Sequence, residues 1–105
     1  MNNDDSKPVR IQRQRKKGWR MPPNTIYVGR PSEWGNPFRV GRYVKLTGVS
    51  PTLIADAGQA VEWYRRFCTK NLIQRVADLR GKNLACWCPL NHPCHADVLL
   101  ELANE

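Results

Sequence analysis

The stretch Leu84-Ala85-Cys86-Trp87-Cys88-Pro89-Leu90-Asn91-His92-Pro93-Cys94-His95-Ala96-Asp97-Val98-Leu99-Leu100 decides how this chain folds. Residues 83 to 88 read as a strand, with Leu84, Cys86 and Cys88 on one face and Ala85 and Trp87 on the other. Both faces are apolar, which predicts a strand covered on both sides, as in a parallel sheet. Pro89 and Pro93 bound a loop. Cys94, His95 and Asp97 then fall at the first turn of a helix whose buried face is Val98, Leu99 and Leu102. A strand end facing a helix N-terminus is where small α/β proteins tend to bind ligands.

The preceding segments extend the same pattern. Val9 to Gln14 alternates apolar and polar residues, a short half-exposed strand. Arg15 to Gly18 turns the chain, and Met21-Pro22-Pro23-Asn24 is a loop. Thr25 to Gly29 is β-branched and aromatic and reads as a strand. A loop follows over Arg30 to Phe38, and Arg39 to Leu46 suits a further strand or hairpin arm. Asp56 is a helix N-cap with Gln59 three residues on, and Ala60, Trp63, Tyr64 and Phe67 follow helical spacing. Leu72, Ile73, Val76 and Leu79 predict a second helix, closed by Gly81. The expected fold class is therefore α/β, a small single domain over residues 9 to 105. A short, partly parallel, Rossmann-like sheet would be flanked by about three helices. Residues 1 to 8 are expected to form a disordered or mobile tail.

A domain of 105 residues buries only a modest core, so a partner, a second copy or a metal would add stability. No apolar run is long enough to span a membrane and no signal peptide opens the chain, which predicts a cytoplasmic protein. Its cysteines are then thiols or metal ligands rather than disulfides. Charge is unevenly placed. Residues 1 to 45 hold eleven Lys or Arg against three acids, while residues 46 to 105 hold six of each, so the whole +8 excess lies in the first part. That excess implies an anionic partner, whether nucleic acid, nucleotide phosphates or an acidic protein. A solvated basic arm is the plainer explanation.

Two constellations carry candidate chemistry. In Gly29-Arg30-Pro31-Ser32-Glu33-Trp34-Gly35-Asn36-Pro37-Phe38, Arg30 suits a phosphate, Trp34 offers a stacking face, Gly35 permits close backbone approach and Asn36 can read a base edge. Equally, Trp34 and Phe38 could plug the core around a structural turn. The second constellation holds three of the four cysteines and both histidines within ten residues. Cys86, Cys88, Cys94 and His95 (or His92) could bind zinc, although C-x-C-x5-C-H is not the usual C-x2-C knuckle. Cys88 or Cys94 could be an activated thiol. Alternatively the thiols are small buried hydrophobes, and His95 and Asp97 hold the helix start beside a ligand. The arm from Arg13 to Arg20, with Trp19, suits single-stranded nucleic acid or a flap over a phosphorylated small molecule.

The runs Gly18-Trp19-Arg20-Met21-Pro22, Val28 to Phe38, and Cys86-Trp87-Cys88-Pro89 with Cys94-His95-Ala96-Asp97-Val98-Leu99 resemble the domain-of-unknown-function family numbered 4326. The likeness covers residues 9 to 103 and implies a cytoplasmic protein, phage-encoded in some members, without implying an activity. The leading expectation is a pocket for a phosphorylated nucleoside-type molecule. Arg20, Arg30, Ser32, Trp34, Gly35, Asn36, His95 and Asp97 would bind it. The protein would be a stoichiometric binder that sequesters a signalling nucleotide, or a small enzyme with Glu33 or Asp97 as acid or base. The alternatives are a nucleic-acid-binding module using the basic arm and a structural zinc module.

Overall fold

The computed structural model describes residues 7–45 and 50–105. Most of the expected tail, and Leu46 of the expected third strand, lie outside them. Among the described residues, five strands and two α-helices follow in chain order: β1 (Arg10–Gln12), β2 (Thr25–Tyr27), β3 (Tyr43–Val44), β4 (Thr52–Leu53), α1 (Ala57–Asn71), β5 (Asn83–Cys86) and α2 (His95–Ala103). A short 3-10 helix over Val76–Leu79 lies between α1 and β5.

The sheet order is β1-β5-β2, with β5 central and both neighbours parallel to it. Ile11 and Tyr27 both flank Ala85 in the register. The two-sided apolar pattern of β5 reflects this position, since Leu84, Ala85 and Cys86 are all buried. Trp87, just past the strand, is exposed. Returning over the sheet, α2 packs on β5 and β1 and lies against α1. One core joins these layers through Val28, Tyr64, Cys68, Leu79, Leu84, Val98 and Leu99.

Asp56 caps α1 by accepting the Gln59 amide through its carboxylate, 2.9 Å away. Gln59 reaches back one residue further than in the usual capping box, to the Ala55 amide at 2.9 Å. The expected second helix is shorter than its apolar spacing suggested. Leu72 to Arg75 turn, and only Val76–Leu79 winds, as a 3-10 helix that buries Val76 and Leu79. Gly81, at φ 77°, then redirects the chain into β5, its amide held by Asn104 and its carbonyl by Asn24. Within the segment expected as a strand or hairpin arm, Tyr43–Val44 pairs antiparallel with Thr52–Leu53. This hairpin tucks Val44 and Ile54 against Ala60 of α1, with Phe38 and Trp63 beside them.

Candidate functional site

A cleft of about 550 Å³ opens beside the ends of β2 and β5. Its walls come from three segments: residues 27 to 42, the first turns of α1 (Ala57, Ala60, Val61), and residues 86 to 95. The Arg30 loop and the His95 turn thus meet across one cavity although they are far apart in sequence. Arg30, Arg39 and Arg42 line it, and among the described lining residues there is no carboxylate.

The Arg30–Asn36 loop is held by its own side chains. Arg30 is exposed, but its guanidinium is tied down: Nε donates to the Asn36 carbonyl at 2.7 Å and Nη2 to the Phe38 carbonyl at 3.3 Å. Asn36 is buried, donating to the Ala60 carbonyl at 3.2 Å and accepting the Phe38 amide at 2.8 Å. Its side-chain amide pins the loop to α1 from the wall of the cleft, where Asn36 is one of the lining residues. Ser32 and Gly35 close a tight turn, in which the Gly35 amide donates to the Ser32 carbonyl.

Trp34 corrects the expectation of a stacking face. Only 6 % of it is exposed, it belongs to the core, and its carbonyl accepts the Tyr64 hydroxyl at 2.7 Å. A large apolar ring next to a fully buried tyrosine gains more from dry packing than from a place at an open cleft. Burial, then the neighbouring Cys68 thiol, hold that Tyr64 hydroxyl protonated well above the usual phenol range. Glu33 pairs with Arg75, and Asp97 with Arg10, both outside the cleft lining, so neither carboxylate stands where the expected acid or base would act. Arg20 is exposed and also lies outside that lining.

Three thiols form the chemical centre of the cleft. The ligand atoms of Cys86, Cys88 and Cys94 lie within 4.8 Å of one another, a group that could hold a metal ion. Cys86 ends β5, and the chain bends directly after it over Trp87 and Cys88, bringing the Cys88 sulfur to 3.7 Å from that of Cys86. Cys94, the N-cap of α2, adds the third. Hydrogen bonds from the Cys88 and Cys94 thiols hold Cys86 well below the usual thiol range, and the same hydrogen bonding to Cys86 pushes theirs up.

His95 stands beside this group rather than in it, which reduces the expected metal-binding quartet to three. Its Nε2–H donates to the Val28 carbonyl at 2.7 Å, fixing the tautomer and leaving Nδ1 toward the Cys94 sulfur, 3.7 Å away. Burial pulls its pKa down, against the raising effect of the Val28 bond, so the ring is neutral. An edge-on contact with Tyr64, with centroids 5.0 Å apart, clamps it further.

Two residues that the sequence reading passed over organise the site. Arg10, whose side chain is only 7 % exposed, donates to the carbonyls of Pro89, Leu90 and His92 and to the Asp97 carboxylate. It thereby sets the loop that carries Cys94 back to Cys86. Trp87 lines the cleft, and the guanidiniums of Arg13 and Arg15 each lie 4.7 Å from its ring centroid. Arg13 also lies 4.6 Å from the Tyr27 ring. The basic arm is thus partly folded against the aromatic rim of the cleft.

The fold and site define a small α/β domain with an arginine-lined cleft and a three-thiol centre. A model of the family described as domain of unknown function (DUF4326) matches residues 11–105, and the chain belongs to that family. No match was found among curated proteins or among solved structures. No helix among the described residues is long and apolar enough to cross a membrane.

Proposed function

We propose that the cleft binds a phosphorylated nucleoside-type small molecule, with a zinc ion held by Cys86, Cys88 and Cys94 in its wall. The observation that carries this reading is the shared lining: three arginines and three thiols face one cavity that no described carboxylate enters. Its volume falls in the usual range for small-molecule sites, about 300–1,000 Å³. Arg39 and Arg42 attract phosphate, while Tyr27 and Trp87 take the aromatic role first assigned to Trp34. With Glu33 and Asp97 paired elsewhere, a stoichiometric binder fits better than an enzyme using either as acid or base.

The metal assignment draws on donor chemistry and spacing. Tetrahedral zinc with bonds of about 2.3 Å sets its sulfurs about 3.8 Å apart. The Cys86–Cys88 separation of 3.7 Å fits that edge. Titration calorimetry against a panel of nucleotides, cyclic nucleotides and ADP-ribose derivatives tests the ligand. Saturable binding that weakens in Arg42→Glu is expected, and silence across the panel overturns the reading. Binding instead to single-stranded oligonucleotides, with steep salt dependence, would move the function to the basic arm.

A further inference from the structure

We infer that the ion held by Cys86, Cys88 and Cys94 keeps its fourth coordination position open to the cleft, where a heteroaromatic ring nitrogen of the ligand completes the tetrahedron. This rests on the metal-holding reading of the thiols and extends it from a structural zinc to a ligand anchor. Closed structural zinc sites have four protein ligands, whereas sites that take up an exogenous group have three. Three is the number found here among the described residues.

The nearest candidate for a fourth is His95, whose Nδ1 faces the Cys94 sulfur but does not lie within 4.8 Å of all three thiols. Nε2 is bound to Val28, Tyr64 packs edge-on, and the imidazole stands outside the 4.8 Å group. It serves instead as a neighbour of the Cys94 sulfur, 3.7 Å away. All three thiols line the open cleft, and Cys88 is half-buried rather than sealed. The position left over is therefore accessible to a guest.

The chemistry of the remaining lining selects the guest's donor. Thiolate-bound zinc accepts a nitrogen donor readily. Tyr27 and Trp87, in the same lining, offer aromatic surface to the ring that carries the nitrogen. Arg30, Arg39 and Arg42 are suited to the anionic end of the same molecule. A nucleobase bearing a ribose phosphate joins these two features. Each of the other described side chains that titrate in this lining already has a role: Tyr27 donates to the Arg30 carbonyl, and His95 to that of Val28.

Cobalt(II) substitution of the full chain, under anaerobic conditions with a phosphine reductant, tests the inference. Imidazole serves as the probe nitrogen donor. The expected result is uptake of a single equivalent, with visible ligand-field bands that shift and saturate as imidazole is added. Cys88→Ser should lose the uptake. Bands that imidazole leaves unmoved in the parent protein, yet that change in His95→Gln, would show that His95 closes the site and would overturn the inference. Failure to take up cobalt or zinc while nucleotides still bind would also overturn it and leave the arginine cleft standing. Metal uptake and an imidazole shift without nucleotide binding would support it and end the nucleotide reading alone.

Discussion

Replacing Arg10 with methionine keeps most of the side chain's apolar stem and removes the guanidinium from the loop that carries Cys94. Four hydrogen bonds are lost, to Asp97 and to the carbonyls of Pro89, Leu90 and His92. Bonds to a charged donor contribute about 1.5–3 kcal/mol each when nothing replaces them. Here the acceptors belong to exposed residues and regain water, so the total falls to about 2–3 kcal/mol. For a domain of this size that lowers Tm by roughly 10–20 °C. Arg10→Lys keeps the charge but not the fork, and should fall between. Asp97→Asn breaks only an exposed contact and should cost no more than about 1 kcal/mol. Thermal melts followed by circular dichroism give the ranking. A methionine variant melting within about 2 °C of the parent, or an asparagine variant losing as much as it does, would refute the reasoning. Metal uptake should weaken in step with Tm, because the same loop brings Cys94 to Cys86.

Tyr64→Phe strands the Trp34 carbonyl in the core and should cost about 1–1.5 kcal/mol in urea denaturation; an unchanged midpoint would remove that bond from the account. Gly29→Ala places a methyl inside the Tyr27 phenol and should destabilise by about 1–3 kcal/mol, measured the same way. Thiol alkylation followed by mass spectrometry should label Cys88 first and Cys68 last. Burial pushes the Cys68 thiol up as well as shielding it, and bound zinc should protect Cys88. Arg39→Glu and Arg42→Glu should each weaken nucleotide binding roughly ten- to a hundredfold by calorimetry, with Tm little changed.

The strand-loop-helix of residues 83 to 103 was legible because its signals are local: a two-sided apolar strand, bounding prolines and a helix start at Cys94. The nearness of Cys86 and Cys88 was also legible from their i, i+2 spacing, although a bend after β5, rather than strand pleating, brings the sulfurs together. Other features depend on partners distant in sequence. Arg10 reads as the polar side of a half-exposed strand, and only the packing of α2 over β1 turns it into a buried clasp. Trp34 and Asn36 sit among residues that suit a ligand, yet Tyr64 and Ala60 of α1 claim them for the core. The segment from Leu72 to Leu79 has helical apolar spacing but also has to reach β5, and the tighter 3-10 winding makes that turn. In β4, Thr52 and Leu53 are both exposed, so no alternation marks the strand.

With β5 between β1 and β2, neither early strand can make a ladder until residues 83 to 86 arrive. During synthesis, the most cationic portion of the polypeptide therefore emerges with its edges unpaired. Closing so long a loop is entropically slow, as expected of high contact order. A nascent chain halted before Asn83 should remain protease-sensitive throughout, and resistance should arise in one step once that last strand has left the ribosome.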